Sequence, residues 1–230
     1  LNLRNAIVLD DTSTGQNLDP IGYPAPGLSA SNTLRSGYTV AGLAGVLYDR
    51  YGLYMVEPTG GLAGVAFTPA ANPRPAAPAA VGGNLKVAAF NVNNFFTTLD
   101  TGPDICGPLG TGSCRGANDA TELTRQTAKL VNTIVAINAD IAGLLEIEND
   151  LTNNTIQHLV DQVNLVAGAN TYGFIATGPI GTDSIRAAII YKPAVVAPVG
   201  AHATLGVVPF DYGNRPPLAQ TFQLNSSGAR

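Results

Sequence analysis

Apolar residues change their spacing along the chain, and the change separates a β-rich part from a mixed part. Up to about residue 60, short apolar runs alternate with turn residues. These runs are Ala6–Leu9, Tyr38–Leu43, Gly45–Tyr48 and Gly52–Pro58. Runs of this length between turns predict β-strands, and no helical period accompanies them. We therefore expect a small sheet or β-barrel in this part.

Residues 68–84 consist mainly of Pro, Ala and Gly. Proline prevents regular strand pairing and favours extended chain, so this segment is predicted to be a linker. The chain is then organised as a β module over 1–67, a linker over 68–84 and a second domain over 85–230.

Two segments of the second domain have helical periodicity. Asp119 and Glu122 form a capping-box-like start, and apolar residues from Leu123 to Ile137 follow at helical spacing. A second helix is predicted from Thr152 to Val166, with a stop at Gly168.

Strand-like runs alternate with these helices. Buried strands are predicted over Leu85–Val92 and Ile141–Ile147, and further strands over Tyr172–Ala176, Ile185–Tyr191 and Leu218–Leu224. Strands separated by helices predict an α/β layered domain.

The composition excludes some classes of protein. The apolar fraction is 45%, the charged fraction is 12% and the net charge is −4. Such a chain can bury a core, and no apolar run is long enough to span a membrane. The acidic balance argues against a DNA-coating protein but not against a nuclease, whose carboxylates hold cations that meet the phosphate.

The two cysteines, Cys106 and Cys114, lie in a Gly/Pro-rich loop. A small disulfide-closed loop is favoured over two free thiols, and it implies an oxidising compartment outside the cytoplasm.

Two polar residues stand out against apolar strands. Glu146 interrupts Ile141–Ile147, where a carboxylate is costly unless it is paired or bound to a cation. Glu148 is expected on the same face of that strand, as a supporting group or a helix cap. Asn91 ends the run Val87–Phe90, and a buried Asn needs hydrogen-bond partners. The alternatives are that Glu146 lies at the solvent-exposed end of its strand and that Asn91 is a turn residue that ends its strand.

The order of these motifs resembles the endonuclease/exonuclease/phosphatase superfamily, which includes the pancreatic-type deoxyribonucleases. The closer resemblance is to its bacterial extracellular nucleases, and it covers nearly the whole chain. It rests on the following segments: Phe90–Thr98, Cys106 to Ala117, Arg125 to Lys129, Gly143–Asn149, Gly181–Arg186, Ile190–Pro193 and Asn214–Phe222. The resemblance implies that residues 85–230 are the N-terminal part of a layered β-sandwich with helices. It also implies that residues 1–67 are a partial OB-like β module.

The resemblance also implies a site. Asn91 and Glu146 would be catalytic and would hold a divalent cation, Mg²⁺ with Mn²⁺ or Ca²⁺ as alternatives, because carboxylate and amide oxygens are hard ligands. Asp183 and Arg215 would be catalytic, and Asn94 and Arg186 would bind a DNA or RNA substrate. A turn aspartate, a surface arginine and a loop salt bridge are the alternatives for residues 183, 186 and 215.

The family's Gly-Asp-x-Asn and Ser-Asp-His motifs are absent from this sequence. His158, in a predicted helix, and His202, in a predicted loop, match no family histidine and are expected to be surface or packing residues. We therefore expect phosphodiester hydrolysis from the full-length protein, and no activity from this chain alone.

Two other functions remain open. The full-length protein could be a phosphatase or sphingomyelinase of the same superfamily. Alternatively, the β module could bind single-stranded DNA without metal, through Tyr38, Tyr48, Tyr51 and Tyr54. A core position is the favoured interpretation of these tyrosines.

Overall fold

A computed structural model describes residues 5–16, 18–29, 31–69, 72–73, 75, 77–208 and 215–230. The chain forms two compact units, Leu1–Ala76 and Ala77–Arg230. The division falls inside the Pro/Ala-rich segment 68–84. Overall the protein is a mixed α/β structure with several sheets and two α-helices in its described part.

Two small sheets form the first unit. Strand β4 lies between β1, which is parallel to it, and β3, which is antiparallel. Strands β2 and β5 pair antiparallel. Tyr51 and Gly52 have φ values of 58° and 74° and connect β3 to β4, because a two-residue hairpin turn needs positive φ at both positions. The strands are β1 (Val8–Leu9), β2 (Thr39–Val40), β3 (Gly45–Arg50), β4 (Leu53–Pro58) and β5 (Phe67–Thr68).

A four-stranded sheet with order β6-β7-β9-β8 organises the second unit. Strands β6 and β7 are parallel, and the other neighbours are antiparallel. Strands β10 and β11 form a separate antiparallel pair. The elements are β6 (Val87–Phe95), α1 (Ala120–Ile137), β7 (Ile141–Glu148), α2 (Asn154–Ala167), β8 (Gly173–Phe174), β9 (Ile185–Tyr191), β10 (Val196–Thr204) and β11 (Leu218–Leu224).

Both predicted helices are confirmed, and they cover one face of this sheet. The Asp119 carboxylate accepts the Glu122 backbone N–H at 2.8 Å, which caps α1, and Gly168 ends α2 with a φ of 108°. The helices and the sheet bury one apolar cluster. Its most enclosed members include Phe95, Leu144, Ile147, Ile156, Leu159, Val163 and Ile190.

The other face of the sheet is different. In β6, Ala88, Phe90 and Val92 pack against the helices, whereas Val87 and Ala89 are exposed. The predicted strand over Leu85–Val92 is confirmed as Val87–Phe95, but it is buried on one face only, because alternate residues of a strand point to opposite faces.

Strand β10 was not predicted, because Pro198 and Gly200 interrupt its sequence and normally mark turns. His202 lies in this strand rather than in a loop. The predicted strand Tyr172–Ala176 is shorter, since only Gly173–Phe174 pairs with β9. No helix among the described residues is both long and apolar enough to cross a bilayer.

Candidate functional site

Glu146 lies in a β-bulge at the end of β7. Leu144 pairs with Ala188 and Ile147 pairs with Arg186, so two residues of β7 lie opposite the single residue Ala187 of β9. Glu146 has a φ of 67°, a left-handed conformation that costs a non-glycine residue about 1–3 kcal/mol. The bulge redirects this side chain relative to a regular strand, and bulges are frequent beside functional sites.

The Glu146 carboxylate is held by the end of β6. The Asn91 side-chain Nδ2 donates to Oε1 at 2.9 Å, and the Asn94 backbone N–H donates to Oε2 at 3.1 Å. Glu146 is half-buried, and each carboxylate oxygen has a further lone pair for a ligand. The structure thus brings together three of the predicted site residues.

Asn91 is exposed, not buried as the sequence suggested, yet both ends of its amide are bonded. Its Oδ1 accepts the Asn93 backbone N–H at 2.7 Å, which fixes the amide orientation. The nitrogen, and not the oxygen, therefore faces Glu146. In this arrangement Asn91 positions the carboxylate rather than offering a second oxygen beside it.

The backbone after Asn91 is also strained. Asn93 and Asn94 have φ values of 57° and 53°, a conformation that Asn tolerates better than most residues. Gln126 on α1 donates to both of their carbonyl oxygens, at 3.2 and 3.4 Å. Sequence reasoning did not single out Gln126 as a site residue, because a polar residue on a helix surface has no distinguishing signal.

A divalent cation is compatible with these residues. Asn94 donates its backbone N–H to Glu146, and its side-chain Oδ1 is buried and lacks a hydrogen-bond partner among the described residues, so it is an oxygen that could accept a further bond. No group of three or more His, Cys, Asp or Glu side chains suited to a metal occurs in the described part of the chain. Mg²⁺ is often bound by one or two carboxylates together with water and substrate phosphate, and the single carboxylate of Glu146 is compatible with this type of site.

Glu148 is only two residues away but is enclosed, with 3% of its surface exposed. Its Oε2 accepts the backbone N–H groups of Thr97 and Thr98 at 2.8 and 3.2 Å, and the hydroxyls of Thr155 and Thr97 at 2.7 and 3.3 Å. Glu148 thus joins the chain after β6 to the first turn of α2, which is the supporting role that the sequence suggested for it.

The disulfide between Cys106 and Cys114 is confirmed, and both cysteines are buried. The loop that it closes packs against Ser184. A Cβ at Gly112 would lie 2.2 Å from the Ser184 Oγ, so only glycine allows this approach. The loop is therefore fixed against the turn that precedes β9.

Asp183 lies in that turn and pairs with two arginines. Arg115 Nη1 is 3.5 Å from its Oδ1, and Arg215 Nε is 3.2 Å from its Oδ2. The structure thus joins the predicted residues Asp183 and Arg215, and it adds Arg115, which the sequence alone did not single out. Nothing in the spacing of residues 115, 183 and 215 indicates this contact.

Arg186 is 1% exposed and does not lie at the surface, so the interpretation of Arg186 as a substrate-binding residue is replaced by a structural one. Its guanidinium donates to the side-chain oxygens of Asn153 and Thr177, at 3.1 and 3.0 Å. Burial lowers the pKa of Arg186, and the charge of Asp150 partly opposes this effect. Arg186 connects the start of α2 to the segment before β9.

Asp150 caps α2 from four residues upstream. Its carboxylate accepts the backbone N–H groups of Thr152 and Asn154, both at 2.9 Å, and of Thr155 at 3.1 Å. Burial alone would raise the pKa of Asp150, but these hydrogen bonds and the Arg186 charge outweigh it, so the pKa lies below its ordinary value.

His158, on α2, stacks against Phe95 at a centroid distance of 6.3 Å, which fits the packing role expected for it.

The tyrosines of the first unit differ from expectation. Tyr51 and Tyr54 are 86% and 64% exposed, so the expectation of a core position is wrong for these two.

The sequence matches no model of a known protein family, and no curated protein matches it.

Proposed function

We propose that residues 77–230 supply the cation-holding part of a phosphodiesterase site that hydrolyses nucleic acid in a secreted bacterial nuclease. The observation that carries this proposal is the conformation of Glu146. Its strained, bulged backbone aims a half-buried carboxylate at Asn91 and the Asn94 amide. Strain of this kind persists where the surrounding structure enforces it, and it concentrates at functional sites.

Each residue has a defined part in this proposal. Glu146 holds the cation through its free lone pairs. Asn91 and the Asn94 N–H orient the carboxylate, and Gln126 keeps the Asn93–Asn94 backbone in place. A cation held by Glu146 would supply positive charge that stabilises the substrate phosphate during hydrolysis.

Proton transfer is assigned to residues outside this chain. The two histidines of the sequence lie in α2 and β10, and His158 packs against Phe95. The resemblance to extracellular nucleases implies that a histidine of the full-length protein acts as general acid and base. We therefore propose that this chain binds the cation, Mg²⁺ or its substitutes Mn²⁺ and Ca²⁺, but does not cleave DNA or RNA by itself.

Binding of Mn²⁺ to the 230-residue chain tests the proposal. Mn²⁺ should broaden the NMR signals of the Glu146 and Asn94 amides first. Glu146→Gln should abolish this broadening, because it removes the charged ligand but keeps a similar shape. Asp161→Asn, which neutralises an exposed carboxylate on α2, is the matched control and should leave the broadening unchanged. Equal broadening in both variants would refute the assignment of Glu146.

The disulfide supports the proposed location. Buried disulfides persist in oxidising compartments, so an extracellular or cell-surface site is the location that we propose.

A second candidate function rests on the exposed tyrosines of the first unit. The Arg50 guanidinium lies 5.0 Å from the centre of the Tyr51 ring, and Tyr54 is exposed in the adjoining strand. Aromatic rings beside a cation suit single-stranded DNA, whose bases stack on them. On this second proposal, Tyr51→Ala combined with Tyr54→Ala weakens oligonucleotide binding in EDTA, as measured by fluorescence anisotropy.

A further inference from the structure

Two exposed arginines meet at one carboxylate at the end of the sheet that also holds Glu146. The side chains of Arg115 and Arg215 are 40% and 44% exposed, and both contact Asp183. Exposed ion pairs of this kind contribute little to stability, so folding alone does not require both arginines here.

Rigid neighbours hold both arginines in place. Arg115 directly follows Cys114, which is buried in the disulfide. Arg215 directly precedes Pro216, which packs so closely on the turn before β9 that a Cβ at Gly181 would lie 2.9 Å from its Cδ. Asp183 then fixes both guanidinium groups. A binding group that is already ordered loses less entropy when a ligand arrives.

The charges at this position favour an anion. Two guanidinium groups share one carboxylate, which leaves one positive charge in excess on a chain whose net charge is −4. The ion pairs use Nη1 of Arg115 and Nε of Arg215, and each guanidinium has five N–H donors in all. Guanidinium groups match the geometry of phosphate, to which they donate two hydrogen bonds at once.

The cluster lies within reach of the proposed cation site. Glu146 lies opposite Ala187 in the bulge, and Asp183 precedes Ala187 by four residues. An extended chain of that length spans at most about 14 Å between its terminal Cα atoms, so Asp183 and Glu146 lie at the same end of the sheet.

We propose that Arg115 and Arg215, held by Asp183, form a phosphate-binding subsite for the backbone of duplex DNA, at the end of the sheet that also holds Glu146. This inference rests on the proposed nuclease function and adds a subsite to it. The subsite binds phosphate without a cation and does not take part in hydrolysis.

The test is the salt dependence of duplex DNA binding by the 230-residue chain, measured by fluorescence anisotropy in EDTA. Each phosphate contact contributes about 0.9 to the slope of log affinity against log salt concentration. Arg115→Ala and Arg215→Ala should each reduce the slope by about that amount and weaken binding roughly tenfold at about 50 mM salt. The double variant should lose both contributions.

Conservative and control variants separate binding from folding. Arg115→Lys and Arg215→Lys keep the charge and should retain most of the slope. Lys129→Ala removes an exposed positive charge on α1 and should leave slope and affinity unchanged. Wild-type slopes in the two alanine variants, or no measurable binding by the wild-type chain, would overturn the subsite.

Glu146→Gln distinguishes the two proposals. It should lose Mn²⁺ binding, whereas the arginine variants should keep Mn²⁺ binding, because the arginines act without a cation. If Mn²⁺ binding depends on Glu146 and the arginine variants bind DNA normally, the subsite alone is wrong. If the arginine variants lose binding and Glu146→Gln keeps Mn²⁺, the cation site alone is wrong.

Discussion

The surroundings of Glu146 and Glu148 differ sharply, although the two residues are neighbours on β7. Glu146 is half-buried and receives one hydrogen bond on each carboxylate oxygen. Glu148 is almost fully buried and receives four hydrogen bonds on a single oxygen. A carboxylate with free lone pairs is suited to bind a ligand, whereas one that is already saturated with donors is suited to hold the fold together.

The difference originates in the backbone. The bulge adds a residue to β7 between Leu144 and Ile147 and gives Glu146 a positive φ, whereas Glu148 pairs regularly with Ile185. Two similar side chains on one strand therefore have different backbone conformations and different surroundings. The environment, and not the residue type, decides what each carboxylate does.

Among variants of the two carboxylates, Glu148→Ala is expected to change the free energy of unfolding most. The substitution removes the acceptor of the part-buried Thr97 and Thr98 amides and of the buried Thr155 hydroxyl, and each buried unsatisfied group costs about 1–3 kcal/mol. We expect the free energy of unfolding to fall by about 3 kcal/mol or more, measured by urea denaturation with helical circular dichroism. Glu146→Ala should cost less than about 1 kcal/mol, because its donors remain accessible to water. Equal losses in the two variants would remove the distinction.

Asp150 extends the comparison to a third carboxylate along the same segment. Its pKa is lower in the folded state than the ordinary value of about 3.9. Its stabilising effect is therefore complete above that value and is lost as the pH falls through the lower folded pKa. Asp150→Ala should cost about 1–2 kcal/mol at pH 7, as expected for loss of a helix cap.

The pH dependence supplies the control for Asp150. In urea denaturation, the difference between wild type and Asp150→Ala should shrink below about pH 4. Asp150→Asn keeps one oxygen acceptor for the amides and should lose less. A difference that stays constant down to pH 2 would show that the charge of Asp150 has no part in stability.

The smallest change in the free energy of unfolding is expected from Glu146→Gly. Glycine adopts positive φ without strain, so this variant should be more stable than wild type by up to about 1 kcal/mol, while it loses the proposed Mn²⁺ ligand. Leu145→Gly, in the same bulge but without positive φ, should instead lose about 1 kcal/mol. Calorimetry of both variants shows whether each is more or less stable than wild type. A Glu146→Gly variant that is less stable than wild type would mean that the bulge is not strained.

The local patterns of the sequence predicted the helices and most strands. The apolar spacing of α1 and α2 is regular over several turns, and Asp119 marks a start that the structure confirms. Strand β10 could not be predicted, because Pro198 and Gly200 normally mark turns. A strand of a two-stranded sheet can include such residues, but the local sequence does not show that the segment pairs with β11.

The candidate site was only partly predictable. Glu146 stood out as a charge in an apolar run, but a bulge leaves no periodic signal before the strands are paired. The burial of Arg186 could not be predicted, because burial depends on the packing of segments that are distant in the sequence. The contact of Arg115 with Asp183 joins residues far apart in the sequence and arises only from the tertiary fold.

The parallel pairing of β6 with β7 has a consequence for the order of events during folding. Asn91 and Glu146 are 55 residues apart, and their contact forms only after that whole segment, with α1 inside it, has closed into a loop. Contacts of such long sequence separation form slowly compared with helices and hairpins. The contact between Asn91 and Glu146 is therefore formed late, and a chain still leaving the ribosome acquires it only once residue 146 and the strand around it have emerged and docked.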